Sequence, residues 1–182
     1  MRVGRRFLLV TCYLLLVTLG GCGYTTHPLI TNTFKTIHVE PFVNKIDITK
    51  EIYASAKYRI YRPSLESDIT RVVTDKYLSD GNLRPSPEAT ADLFLKGEVT
   101  EFRRDPLRYD NSNNVTEYRI NLIVNISLWD KKENKLLWQE INFTGNTTYF
   151  TTGSLAKTED SAVNDALADL ARRIVELTVE QW

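Results

Sequence analysis

Regular alternations and stripes of apolar residues predict the elements of this chain. In "YRINLIVNISLW" (118–129), Tyr118, Ile120, Leu122, Val124, Ile126 and Leu128 alternate with Arg119, Asn121, Asn125 and Ser127. That is the period of a strand with one buried and one wet face, as antiparallel sheets have. "DKKENK" turns the chain, and "LLWQEINFTGNTTYF" returns it as a hairpin partner that ends at Gly153-Ser154. Two earlier strands are predicted. In "FKTIHVEPF" (34–42), Phe34, Thr36, His38 and Glu40 alternate with Ile37 and Val39, and Pro41 ends the run. In "ADLFLKGEVTEF" (91–102), Leu93, Leu95, Gly97 and Val99 share a face; Gly97 interrupts the side chains, which implies a bulge or a close backbone approach.

Two stretches follow the helical period instead. Pro63-Ser64 is a start signal, Leu65, Ile69, Val72, Val73 and Tyr77 form one face, and Asp80-Gly81 is a stop. From Thr158 to Gln181 the stripe is Val163, Ala166, Leu167, Leu170, Ile174 and Leu177. Residues 43–62 hold charge and three tyrosines without a period, and read as a loop with room for a short hairpin. The order β-α-β-β-β-α predicts an α+β fold: a two-layer sandwich, with a four-stranded, mostly antiparallel sheet and two helices on one face.

The amino terminus has a different character. Arg2, Arg5 and Arg6 precede a 13-residue apolar run, Phe7 to Leu19, too short to span a bilayer, which takes ~20 residues. Basic, apolar and small-residue regions in that order make an export signal. Leu19-Gly20-Gly21-Cys22 matches the lipobox of bacterial lipoproteins, in which the cysteine is lipidated and becomes the first residue. Each buried methylene contributes about 0.8 kcal/mol, so several acyl chains together give a stable anchor. Gly23 stands where many lipoproteins retained in the inner membrane carry aspartate, so the expected address is the outer membrane, facing the periplasm. The expected organisation is a signal peptide at 1–21, a lipidated tether at 22–33 and one domain at 34–182.

Removing residues 1–21 takes three arginines and no acid, leaving 20 basic residues (23 less three) against 23 acidic ones. A balance of −3 argues against nucleic acid as a partner. Cys12 lies in the discarded run and Cys22 carries lipid, so the domain must stand on its core without a disulfide. The sequons at Asn114, Asn125, Asn142 and Asn146 read as chance.

Little here supports catalysis. His27 lies in the tether and His38 in a strand, without metal-ligand spacing, and there is no G-x-S-x-G or phosphate-cradling loop. No enzyme activity, cofactor or metal is expected. Trp129 and Trp138 flank the hairpin turn, either as a partner-facing pair or packed on the sheet ends, and Trp182 is left open. Arg103, Arg104 and Arg108 are placed in the connection between the second and third strands, with Arg119 at the base of the third. They are either a solvated loop or a phosphate contact, since guanidinium binds phosphate bidentately.

The chain resembles the LptE family of lipopolysaccharide-assembly lipoproteins. The resemblance is carried by "CGYT" (22–25), "IHVEPFVN" (37–44), "LESDITRVVTDKYLSDGNLR" (65–84), "ATADLFLKGEVTEF" (89–102), "YRINLIVNISLWD" (118–130), "LLWQEINFTG" (136–145) and the amphipathic C-terminal helix. It implies two helices on a four-stranded sheet, and a plug seated in the β-barrel protein LptD that helps insert lipopolysaccharide into the outer leaflet. In the family, basic residues at a strand–loop end meet lipopolysaccharide phosphates, and Arg103, Arg104 and Arg108 occupy a comparable loop here, where Arg119 at the base of the third strand could join them. The segment 45–62 departs from the family pattern. An outer-membrane lipoprotein that activates a peptidoglycan synthase or serves a secretion pore is the alternative, because fold alone does not fix function.

Overall fold

The computed structural model describes residues 33–46 and 62–180. The signal, Cys22, the tether to Asn32, most of the unpatterned segment (47–61) and Trp182 lie outside the described residues. The elements are strands β1 (Thr36–Val39) and β2 (Val43–Asn44), helix α1 (Leu65–Asp80), strands β3 (Arg84–Pro85), β4 (Leu93–Tyr109), β5 (Val115–Asp130) and β6 (Lys135–Phe150), and helix α2 (Glu159–Glu180).

One sheet runs β3-β1-β4-β5-β6, with β2 also on β4. The expected α+β sandwich is present. Among the described residues the sheet has six strands rather than four, because β2 and β3 are two-residue strands too short to show a period. β1 lies parallel to β4, while β4, β5 and β6 form an antiparallel meander. Asp92 pins β1 in place: its Oδ2 accepts the N–H groups of Lys35 and Thr36, both at 2.9 Å, and the Thr36 hydroxyl at 2.8 Å. Those backbone and hydroxyl donors hold the Asp92 carboxyl below its ordinary range.

The larger correction concerns β4, which was expected to end near Phe102 and instead continues to Tyr109. Arg103, Arg104 and Arg108 are therefore strand residues, not a connecting loop. A bulge hides this from the sequence. Val99 pairs with Val124 and Glu101 with Ile123, leaving Thr100 over. Inward positions before the bulge are odd (Leu93, Leu95, Val99), and after it they are even (Phe102, Arg104). Pro106 is tolerated because β4 beyond Val99 pairs only with β5 among the described residues, so no ladder donor is needed on its other side.

Both helices cover one face. Leu65, Ile69, Val73 and Tyr77 of α1 and Val163, Ala166, Leu167, Leu170 and Ile174 of α2 pack with Ile37, Leu95, Val99, Ile120, Leu122, Val124 and Ile126. Gly81 closes α1 in the left-handed conformation (φ 81°) and donates its N–H to the Tyr77 carbonyl. Arg62 bonds Asp160 at 2.9 Å at the start of α2 and lies 3.9 Å from Asp68 near the start of α1. The Tyr77 and Thr178 hydroxyls meet at 2.7 Å toward the other ends. The helices therefore lie side by side and point the same way. At Gly97 the crowding is neither a bulge nor another backbone but a side chain: the Phe42 ring covers it, leaving no room for a Cβ.

Candidate functional site

With the inner face filled, the open face of the sheet is where a ligand can be met. Adjacent strand residues point to opposite faces, so the four arginines separate. Arg103, Arg108 and Arg119 share the outer face, being paired with or next to Asn121, Glu117 and Asp105 in the β4–β5 register. Arg104 pairs with Ile120 and turns inward.

On the outer face each cation sits beside an acid. Arg103 Nε donates to Asp105 Oδ2 at 2.8 Å, and its Nη1 lies 3.4 Å from Glu101 Oε1. Hydrogen bonding to Asp105 raises the Arg103 pKa further. Asn121 Nδ2 also donates to Asp105 Oδ2 at 2.8 Å. Arg108, 67% exposed, lies 3.5 Å from Glu117 and over the Phe150 ring at 5.9 Å. Arg119 is exposed, directly across from Asp105. The acids are half-buried while Arg108 is largely exposed, so of these cations Arg108 and Arg119 are the most open to solvent.

Arg104 is committed elsewhere. It bonds Glu159 at the start of α2 and lies 4.7 Å over the Tyr118 ring, which stacks on Tyr149 at 5.8 Å. It ties the sheet to the first turn of α2, where an acidic side chain already complements the helix dipole.

The two tryptophans also divide. Trp138 turns inward and is 9% exposed, packed with the core. Trp129 lies on the outer face, half-buried, with its indole N–H donating to Ser127 Oγ at 3.0 Å and the Lys96 ammonium 5.8 Å over its ring. It stands in register beside Phe94, which is paired with His38, so an aromatic row crosses three strands. His38 Nδ1 is 3.1 Å from the Ser86 carbonyl, and its ring meets Phe94 edge-on at 5.8 Å.

Beside Trp129 is an open groove of ≈ 390 Å³, bordered by Glu40, Lys96, Glu98, Asn125, Ser127 and Gln139 among others. The sequence reading did not find it. The signal was present in the parity of β5, where Trp129 falls on the odd, polar side with Asn125 and Ser127. Among the described residues no three His, Cys, Asp or Glu side chains group as metal ligands. No described helix is long and apolar enough to cross a membrane.

The family model described as LptE, lipopolysaccharide-assembly, matches residues 34–178. No curated protein matches the chain. Among solved structures, a DUF330 protein from Xanthomonas campestris is similar at 13% identity and TM-score 0.53, over 80% of this chain and 84% of that one. A hypothetical protein from Chlamydia trachomatis is similar at 14% identity and TM-score 0.50, over 80% and 96%. A minor lipoprotein from Acinetobacter baumannii reaches 18% identity and TM-score 0.48, over 80% and 93%. At these identities the likeness to the first two is one of fold alone.

Proposed function

The chain belongs to the LptE family of lipopolysaccharide-assembly proteins, and from that premise we propose that it is an outer-membrane lipoprotein that seats in the β-barrel protein LptD and assists insertion of lipopolysaccharide into the outer leaflet. The observation that carries this reading is the extent of the family match, residues 34–178, which among the described residues takes in α1, every strand of the sheet and α2 as far as Thr178.

Cys22 is the lipidated residue, and the protein is held at the periplasmic face of the outer membrane. Its work is association rather than catalysis. Lipopolysaccharide phosphates engage Arg103, Arg108 and Arg119, which share one open face, by exchange with the carboxylates now beside Arg103 and Arg108. Arg104 serves as the pin between sheet and α2.

The experiment is depletion of the chain followed by labelling of surface lipopolysaccharide. Surface lipopolysaccharide should fall while the periplasmic and inner-membrane pool rises. An unchanged surface level, with the peptidoglycan or an exported polymer altered instead, would favour the synthase-activator or secretion-pore reading.

A further inference from the structure

We infer that the outer-face groove at Trp129 is a saccharide subsite, one that takes the sugar portion of the glycolipid on which the proposed function rests. A sugar ring presents weakly positive C–H groups on its faces and hydroxyls around its rim. The first suit the negative face of an indole, and the second need side chains that both donate and accept. The groove supplies both once the Lys96 ammonium, 5.8 Å over the Trp129 ring, moves aside. Trp129 is fixed by its own N–H bond to Ser127, so its ring is already held before any ligand arrives.

Around it the hydrogen-bonding capacity is left open. Asn125 Oδ1 accepts the Asn142 N–H at 3.0 Å, which orients the amide and leaves its NH₂ without a described partner. Ser127 accepts from Trp129 and keeps its own O–H to donate. The Gln139 amide and the Glu98 carboxylate are exposed at the rim, without a described partner.

Charge decides against a phosphate here. Glu40 and Glu98 stand against the single ammonium of Lys96, which is already 3.3 Å from Glu40. The phosphate-competent arginines lie toward the far end of the same face: Arg119 is ten positions along β5 from Trp129, roughly 33 Å at ~3.3 Å per residue. The groove's ≈ 390 Å³ falls low in the usual range of about 300–1,000 Å³ for small-ligand sites. That suits one or two sugar rings, and the polar side chains of Glu40, Lys96, Glu98, Asn125, Ser127 and Gln139 around it disfavour an acyl chain.

The test uses the full chain in detergent, titrated with lipopolysaccharide-derived oligosaccharide stripped of its lipid and phosphate, while following the indole N–H resonance that Trp129→Phe removes. The sugar should shift that resonance. Trp129→Ala should weaken binding at least tenfold and Gln139→Ala, on the exposed rim, several-fold, while Arg71→Gln, on the exposed side of α1, should leave it unchanged. An unmoved resonance, with intact lipopolysaccharide still binding, would overturn the subsite and leave the proposed function standing. Loss of LptD association in the Trp129 and Gln139 variants, with sugar binding intact, would overturn it too by making the groove a barrel contact.

Discussion

Gly145 of β6 and Leu170 of α2 meet with no space between them: a Cβ on Gly145 would lie 2.4 Å from Leu170 Cβ and 2.6 Å from its Cα. Here the helix rests on the strand itself. The neighbouring bonds, Asn146 N–H to Asp169 Oδ2 at 3.0 Å and Arg173 to the Thr144 carbonyl, hold the two in that contact.

Gly145→Ala should therefore push α2 off the sheet and destabilise the fold by ~1–3 kcal/mol or more, the usual range for overpacking a core. Gly97→Ala should cost less, because its obstacle is a side chain, the buried Phe42 ring at 2.1 Å, and not the backbone of a helix. Denaturant unfolding of both variants gives the order. Equal or reversed costs would mean that α2 does not sit against the β6 backbone.

Tyr77 and Thr178 supply a pH-dependent prediction. Thr178 donates to the Ile174 carbonyl at 2.8 Å, so the Tyr77 hydroxyl donates to Thr178 at 2.7 Å, and both residues are fully buried. Burial raises the Tyr77 pKa well above its ordinary value. The folded state then keeps a proton that the unfolded chain releases near pH ~10, so stability is intact below that pH and lost as pH rises beyond it. Tyr77→Phe should cost about 0.5–1.5 kcal/mol at neutral pH and unfold less steeply above pH ~10 than the wild type. Parallel alkaline curves would place that tyrosine's ionisation outside the core.

The arginines make a prediction in salt. Arg103, Arg108 and Arg119 changed together to Gln should weaken lipopolysaccharide binding and flatten its salt dependence, since exposed charges are screened over ~8 Å at physiological ionic strength. Arg104→Gln should mainly lower stability, because its guanidinium serves Glu159 and Tyr118. Equal affinity and equal salt slopes for the triple variant would return the three arginines to their carboxylate pairs alone.

How far the sequence discloses this molecule depends on where its periods survive. β5 alternates from Tyr118 to Leu128 except at Ile123 and the buried Asn121, and α1 stops at Gly81, where the sequence signal places it. The end of β4 was hidden because Thr100 shifts the parity, so the strand stops alternating while it continues to pair. That one extra residue also decides which neighbour faces inward: Arg104 rather than Arg103. A similar shift occurs in β6 between Glu140 and Phe143, where Asn142 adopts φ 58°. The arginine cluster was legible as composition, but its division between two faces is a property of register. The parity of β5 puts Trp129 on the open face, but the groove beside it takes shape only with the β1–β2 link, β2, β4, β5 and β6 side by side, because its walls come from separate segments.

The most direct measurement of the central claim is the identity of the partner. The full-length chain, tagged at its C-terminus, should co-purify with LptD from detergent-solubilised outer membranes in a stoichiometric complex that persists in high salt, as a broad complementary interface does. Recovery of a peptidoglycan synthase, or of a ring of its own copies, with LptD absent would contradict it.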